Sequence, residues 1–238
     1  MKKQSLQFLL LLLVAGFISS CGINGKGDTV IKDKNVSEKF TGISLSVSGD
    51  VYVMQGNEQK ITVHGQQNII DVLDLEVNNK TLNIGFKRNN VHNYDQLKFY
   101  ITTAMLESLN ISGSGKIVAV DSIRTSEMDL NISGSGDIEM YKLLATDKVK
   151  ANISGSGSIK LIGSTNNTNY TISGSGNIRA FELPGKYCDA QISGSGDIET
   201  TVSDKLEAHI SGSGNIRYKG QPVVNSHSSG SGNVTHVE

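Results

Sequence analysis

The stretch Asn110-Ile111-Ser112-Gly113-Ser114-Gly115-Lys116-Ile117 decides how this chain is read. Its centre, Ile-Ser-Gly-Ser-Gly, starts again at Ile132, Ile153, Ile172, Ile192 and Ile210, and a seventh copy of Gly-Ser-Gly lies within Ser228 to Gly232. The steps between copies are 21, 21, 19, 20, 18 and 18 residues. A period near twenty is one coil of a solenoid, and one coil cannot bury its own apolar face. The copies must therefore stack, each touching only its neighbours.

Taking the isoleucine of each copy as position zero gives a register. Position −2 holds Leu109, Leu130, Ala151, Tyr170, Ala190 and Ala208, and position +6 holds Ile117, Ile138, Ile159, Ile178, Ile198, Ile216 and Val234. These positions share the parity of position zero, so they point to one side of an extended chain. The two glycines, at +2 and +4, share that parity too, which lets the backbone bend inward or pack against the next coil. The opposite parity is polar. Position −1 reads Asn110, Asn131, Asn152, Thr171, Gln191 and His209, and positions +1 and +3 are serine in every copy. Parallel strands sit ~4.8 Å apart, so seven coils give a rod about 30 Å long. The outward +7 column places Glu139 beside Lys160 and Glu199 between Arg179 and Arg217, pairs worth only ~0–1 kcal/mol each. The segments of variable length, Tyr141 to Lys148, Gly163 to Asn169 and Glu182 to Tyr187, are expected as loops. The predicted fold is all-β: a right-handed parallel β-helix with 18–21-residue coils over residues 106–238, preceded by an N-terminal β segment over residues 38–105.

That N-terminal segment alternates apolar and polar residues in Ile43 to Val47, Val51 to Val53, Ile61 to Val63, Leu75 to Val77, Leu82 to Phe86 and Leu97 to Ile101. Asn78-Asn79-Lys80 reads as a hairpin turn, and Asn68 to Leu73 as a turn of helix. Val47-Ser48-Gly49-Asp50-Val51 is a degenerate copy of the later repeat, which makes this segment either the first coils or a cap on them.

Residues 1–20 read as an export signal: Lys2 and Lys3 precede an apolar run from Leu6 to Ile18 that is too short to span a bilayer comfortably. Ile18-Ser19-Ser20-Cys21 resembles a bacterial lipobox, which implies cleavage before Cys21 and lipidation there. Gly22 rather than Asp follows it, which argues against retention at an inner membrane and places the chain at the outer membrane as a lipoprotein, on its surface or its periplasmic face. Residues 22–37, rich in Gly, Asn, Asp and Lys, read as a flexible tether. With Cys21 lipidated, Cys188 has no intrachain partner, and it is read as a core residue in a column with Met128, Val149 and Leu206.

From Phe40-Thr41-Gly42-Ile43 through Val51-Tyr52-Val53-Met54-Gln55-Gly56, Ile61-Thr62-Val63 to Ile70, and Leu82-Asn83-Ile84 to the Ser-Gly-Ser-Gly-Asp/Asn-Ile copies, the chain resembles the head GIN-domain autotransporter-adhesin family of bacterial envelope proteins. The resemblance covers about residues 38–238. It implies a parallel β-helix similar to pectin-lyase-type solenoids, without their catalytic residues, in an envelope surface role.

The side-chain chemistry agrees with a non-enzymatic protein. The 22 basic and 23 acidic residues are well mixed, so no basic stripe points to nucleic acid. The position after Gly-Ser-Gly reads Lys116, Asp137, Ser158, Asn177, Asp197, Asn215, Asn233, too few carboxylates for the six to eight oxygens calcium takes. No Gly-x-Ser-x-Gly elbow activates a serine. The five histidines lack zinc spacing; His227 and His236 flank the last coil and could approach each other there. Asp137 with Glu139, and Asp197 with Glu199, are the two carboxylate pairs a glycan-cleaving enzyme could use. No tryptophan and 5% aromatics leave little for stacking on sugars. Asp28-Thr29-Val30 and Asp121-Ser122-Ile123 resemble an O-glycosylation motif of some Gram-negative envelopes. The reading is a lipid-anchored adhesin of the cell envelope, its ligand a glycan or a protein, needing no cofactor or metal. The alternatives are a glycan-binding or glycan-active β-helix and a periplasmic scaffold. The C-terminal coil leaves a strand edge through which copies could associate, unless the tail blunts it.

Overall fold

A computed structural model describes residues 22–88 and 90–238. The repeats form a β-solenoid whose coils stack in parallel and in register. One face carries positions −3 to +2: Ser108–Gly113 pairs with Asp129–Gly134, and onward through Lys150–Gly155, Asn169–Gly174, Asp189–Gly194, Glu207–Gly212 and Asn225–Gly230. A second face stacks Lys116–Ala119, Asp137–Met140, Ser158–Leu161, Asn177–Ala180, Asp197–Thr200 and Asn215–Tyr218. The isoleucine columns line the interior between the faces. All six isoleucines at position zero and all six at +6 are buried, and only Val234, in the open last coil, is half-buried. At ~1.5–3 kcal/mol for each isoleucine removed from water, these columns dominate the stability of the rod.

The Ser-Gly-Ser-Gly motif makes the corner between the faces, and its two glycines do different work. At +2 the backbone turns with φ between 124° and 136°, a region that favours glycine, and the residue lies at the surface rather than inside. At +4 the glycine is buried against the coil before it; a Cβ on Gly157 would meet the Gly136 carbonyl oxygen at 2.4 Å and Ile132 Cγ2 at 2.8 Å. The close approach keeps the corner hydrogen-bonded. The Ser156 N–H donates to the Gly134 carbonyl at 2.9 Å and the Ser175 N–H to the Gly155 carbonyl at 2.9 Å. Two steps on, the Ser158 N–H donates to the Gly136 carbonyl at 3.1 Å.

Of the three variable segments, Gly163 to Asn169 breaks as expected, at Thr165 and Asn166 between the strands Ser158–Ser164 and Asn167–Gly174; the other two are not loops. Tyr141 to Lys148 and Glu182 to Tyr187 continue long strands, Asp137–Gly155 and Asn177–Gly194, and build a short third face. Ile123–Thr125 pairs with Leu143–Ala145, Leu143 with Gly163, and Pro184 with Thr201. Bulges between Met140 and Leu143 and between Ala180 and Pro184 absorb the differences in coil length. Leu143, Ala145, Leu183 and Val202 turn inward there and close the core.

The N-terminal segment is both coil and cap. Gly42–Leu45 and Gly49–Gln55 form a coil in register with Ser108–Ile111 and Lys116–Ala119. On its other side lie Thr81–Phe86 and Leu97–Thr103, which come later in the chain. Antiparallel strands then end the stack: Leu73–Asn78 pairs with Thr81–Phe86 through a turn at Asn79 and Lys80, both with positive φ, and Lys60–Gln66 pairs with Leu97–Thr103. The predicted helical turn spans Gln67–Ile70.

The tether reading needs correction. Thr29–Lys34 is a strand, antiparallel to Lys60–Gln66, and Ile23–Asn24 pairs with Val91–His92. The Ile23 N–H donates to the Asn90 carbonyl at 2.7 Å and the Gly25 N–H to the Asn93 carbonyl at 3.2 Å. Gln66, 8% exposed, donates to the Gly27 carbonyl at 3.0 Å and accepts from the Asp95 N–H at 3.1 Å. Asn68 accepts from the Lys26 N–H at 3.0 Å and donates to the Asn24 carbonyl at 2.8 Å. A composition that reads as flexible is held by backbone pairing and by the side-chain amides of buried Gln66 and half-buried Asn68, which leave no hydrophobic period in the sequence. Residues 1–20 and Cys21 lie outside the described residues.

The column expected to hold Cys188 forms as Met128, Val149, Thr168, Cys188 and Leu206. Burial pushes the Cys188 thiol up to about 11, and Thr200 donates to its sulfur at 3.7 Å, so it is inert packing and not a reactive thiol. Nearby, Tyr170 stands fully buried in a column whose neighbours are Ala151 and Ala190; its hydroxyl makes no hydrogen bond of good geometry, and only a weak interaction with the Thr168 side chain offsets its burial. Burial holds its ionisation well above the ordinary phenol range. Tyr170→Phe keeps the ring and removes the unsatisfied hydroxyl, so it should stabilise the fold by ~1 kcal/mol. A thermal melt reads this as a rise of about 2–4 °C; a fall would show that the hydroxyl is satisfied, by Thr168 or by a buried water.

Candidate contact surface

The polar columns at −1 and +1 stand on the first face as two parallel walls. Asn131 donates to the Asn110 side-chain oxygen at 2.9 Å, and Asn152 donates to that of Asn131 at 2.9 Å, a ladder of amides running along the rod. Thr171, Gln191, His209 and His227 continue that wall. Exposed serines 112, 133, 154, 173, 193, 211 and 229 form the other. Between them lie two shallow hollows of about 340 and 280 Å³, which meet at Thr171 and Ser173 and together span all seven copies. No Lys, Arg, Asp or Glu lines either one. Their small size and open form suit a long chain lying along them better than an enclosed small molecule.

The second face is charged. Glu199 receives Arg217 at 2.7 Å, as the register predicts. Glu139, opposite Lys160, instead receives Lys116 at 2.8 Å and the Tyr141 hydroxyl at 2.6 Å, while the Lys160 ammonium sits 5.3 Å over the Tyr141 ring. Burial opposes ionisation of Glu139, but the hydrogen bonds from Lys116 and Tyr141 outweigh it and hold its carboxyl below the ordinary value. A glycosidic general acid needs the reverse shift. Asp197 accepts from the Asn215 N–H and side-chain amide, each at 3.0 Å. Both carboxylate pairs are thus tied into cross-coil contacts.

The remaining candidates separate. His227 stands beside His209 on the trough, and His236 lies against Tyr218 at 5.3 Å. Among the described residues no group of three or more His, Cys, Asp or Glu could hold a metal ion. Thr29 is exposed at the start of its strand, whereas the Ser122 hydroxyl is buried and has no partner. An aromatic cluster that alternation does not reveal stands at the cap: Tyr52 and Tyr100 stack at 5.2 Å and His64 meets Tyr100 at 4.7 Å. Its members are far apart in sequence and meet only because Leu97–Thr103 stacks on Gly49–Gln55 and pairs with Lys60–Gln66. In the last coil, Ser226 and Ser228 replace the inward alanine and isoleucine, and Ser228 donates to the Gly232 carbonyl at 2.8 Å. Such polar residues suit a terminal coil that faces water.

Fold and surface together define a capped β-solenoid that presents repeated polar columns. The chain belongs to the family described as "Putative auto-transporter adhesin, head GIN domain", which matches residues 39–222. Solved structures share the fold. A "putative adhesin" of Bacteroides fragilis is 25% identical, with a TM-score of 0.85 over 91% of this chain and 100% of its own. A "putative adhesin" of Parabacteroides distasonis is 26% identical, with a TM-score of 0.74 over 90% and 99%. A further structure from that organism, described as a "Putative lipid binding protein", is 27% identical, with a TM-score of 0.74 over 91% and 99%. A search of curated protein sequences gives no match. The family description carries no catalytic activity.

Proposed function

We propose that this chain is a non-enzymatic, lipid-anchored adhesin of the outer membrane that makes contact through the trough on its first face. The observation that carries the reading is the continuity of that trough: seven coils repeat a serine wall beside a polar one, with no Lys, Arg, Asp or Glu in the lining, although nothing in the core requires polar residues of these types on the outside. The docked N-terminal strands add an orientation. With Gly22 and Ile23 held against Asn90 and His92, lipid on Cys21 keeps the cap at the membrane and the repeats beyond it. Several acyl chains anchor stably where one binds only marginally.

Cys21→Ala tests the anchor. The variant should leave the membrane fraction, keep the far-UV β spectrum of the parent, and lower adherence of intact cells. A variant still fully membrane-bound would place the attachment elsewhere. Protease added to intact cells tests exposure, since an adhesin on the outer surface is removed and a periplasmic scaffold is not.

A further inference from the structure

Building on the contact role proposed above, we infer that the trough takes a neutral, unbranched polysaccharide lying along the rod axis. No Lys, Arg, Asp or Glu lines either hollow. The charged column that flanks them on this face, Asp129, Lys150, Asp189 and Glu207 at position −3, is mixed in sign and engaged locally: Lys150 pairs with Asp129 at 3.8 Å, Glu207 with Lys205 at 2.6 Å, and Asp189 accepts from the Gln191 side chain at 3.2 Å. An anionic polymer or nucleic acid would find no Lys or Arg in the lining. A peptide adding as a strand needs a free sheet edge, yet the trough lies on the sheet's surface, where the backbone is already bonded coil to coil. What the walls offer is hydroxyl and amide groups: seven exposed serines on one side, and Asn, Thr, Gln and His on the other.

The amide ladder sets how those groups are presented. Each of Asn131 and Asn152 uses one N–H along the ladder, leaving its second N–H as a donor. The seryl hydroxyls opposite can both donate and accept. A hydroxyl-dense chain meets this pattern again at every coil, ~4.8 Å on, close to the length of one sugar unit. No single unit is enclosed, so binding must come from repetition, and affinity should rise steeply with chain length. With no aromatic platform in the trough, short oligosaccharides should bind too weakly to detect.

The test is affinity electrophoresis of detergent-solubilised full-length protein through gels containing linear neutral polymers (mixed-linkage β-glucan, pullulan or amylose) or the anionic polymers alginate and heparin. We expect retardation by at least one neutral polymer, unaffected by ~1 M salt, because screening acts on charge. Its oligosaccharides should fail to compete. Ser133→Glu/Ser173→Glu, on exposed positions two coils apart, should reduce retardation at least tenfold at unchanged melting temperature. Arg179→Ala, on the second face, should leave it unchanged. Thr171→Ala/Gln191→Ala trims the other wall without adding charge and should also weaken binding. Retardation by no neutral polymer, by anionic polymers only, or equally in parent and trough variants would overturn the inference. Intact-cell adherence of the same variants separates it from the contact role. Adherence lost without polymer retardation removes the polysaccharide and keeps the trough as a contact surface; adherence unaffected by the trough variants removes both.

Discussion

Ile172→Asp should abolish the folded rod. Ile172 is fully buried in a central coil, paired in register with Ile153 on one side and Ile192 on the other. Aspartate there buries a carboxylate among aliphatic side chains with no cation in reach, a change that belongs with the most damaging single substitutions, above ~4 kcal/mol. Because each coil is supported only by its neighbours, the defect separates the repeats on either side of it. The variant is expected to be insoluble or to lose its cooperative melt. Ile172→Val, which removes one methylene, should cost ~0.5–1.5 kcal/mol and keeps the comparison measurable. Ser175→Ala, on the exposed side of the same coil, should change stability by less than ~0.5 kcal/mol. Equal melting temperatures for the Ile172→Asp and Ser175→Ala proteins would refute the register.

The second large effect belongs to the corner glycines. Gly155 has a φ of 134°, and a Cβ there would come within 2.3 Å of the Gly134 carbonyl oxygen. Gly155→Ala therefore combines backbone strain of ~1–3 kcal/mol with a clash that forces two coils apart. A total loss above ~3 kcal/mol should lower the melting temperature by about 10 °C. Gly113 separates the two causes. It takes the same corner conformation, with a φ of 124°, but its Cβ would meet nothing within 4 Å. Gly113→Ala should show the strain alone and melt well above Gly155→Ala. If the two alanine variants melt together, close stacking is not what demands glycine.

These contrasts show what the sequence makes legible. A side chain that recurs at a fixed step must meet its own copy, so the pairs Ile132 with Ile153 and Glu199 with Arg217 follow from counting. Counting fails where the chain stops repeating. The coil at Gly42–Gln55 lies between Thr81–Thr103 and Ser108–Ala119, an order that local alternation cannot specify. The third face escapes notice because bulges shift the parity of Leu143 and Leu183 away from that of the isoleucine columns. Gln66 and Asn68 hold the N-terminal strands through single amides, which no periodicity announces. For the contact surface, the polar columns are plain in the sequence. That three asparagines form a continuous hydrogen-bonded ladder, and that no Lys, Arg, Asp or Glu lines the trough, depends on side-chain directions that only the fold sets.

The step of about twenty residues per coil bears on economy of length. A strand advances ~3.3 Å per residue and a helix 1.5 Å. Divided over its coil, each residue here advances the rod by only ~0.24 Å, given a coil spacing of ~4.8 Å. A chain built to bridge a gap would gain roughly sixfold more distance as a helix. What the coil geometry yields in exchange for distance is breadth: every ~4.8 Å of axis carries another copy of the same lateral surface. Measured as a spacer the molecule is inefficient, and measured as a row of equivalent weak sites it is dense.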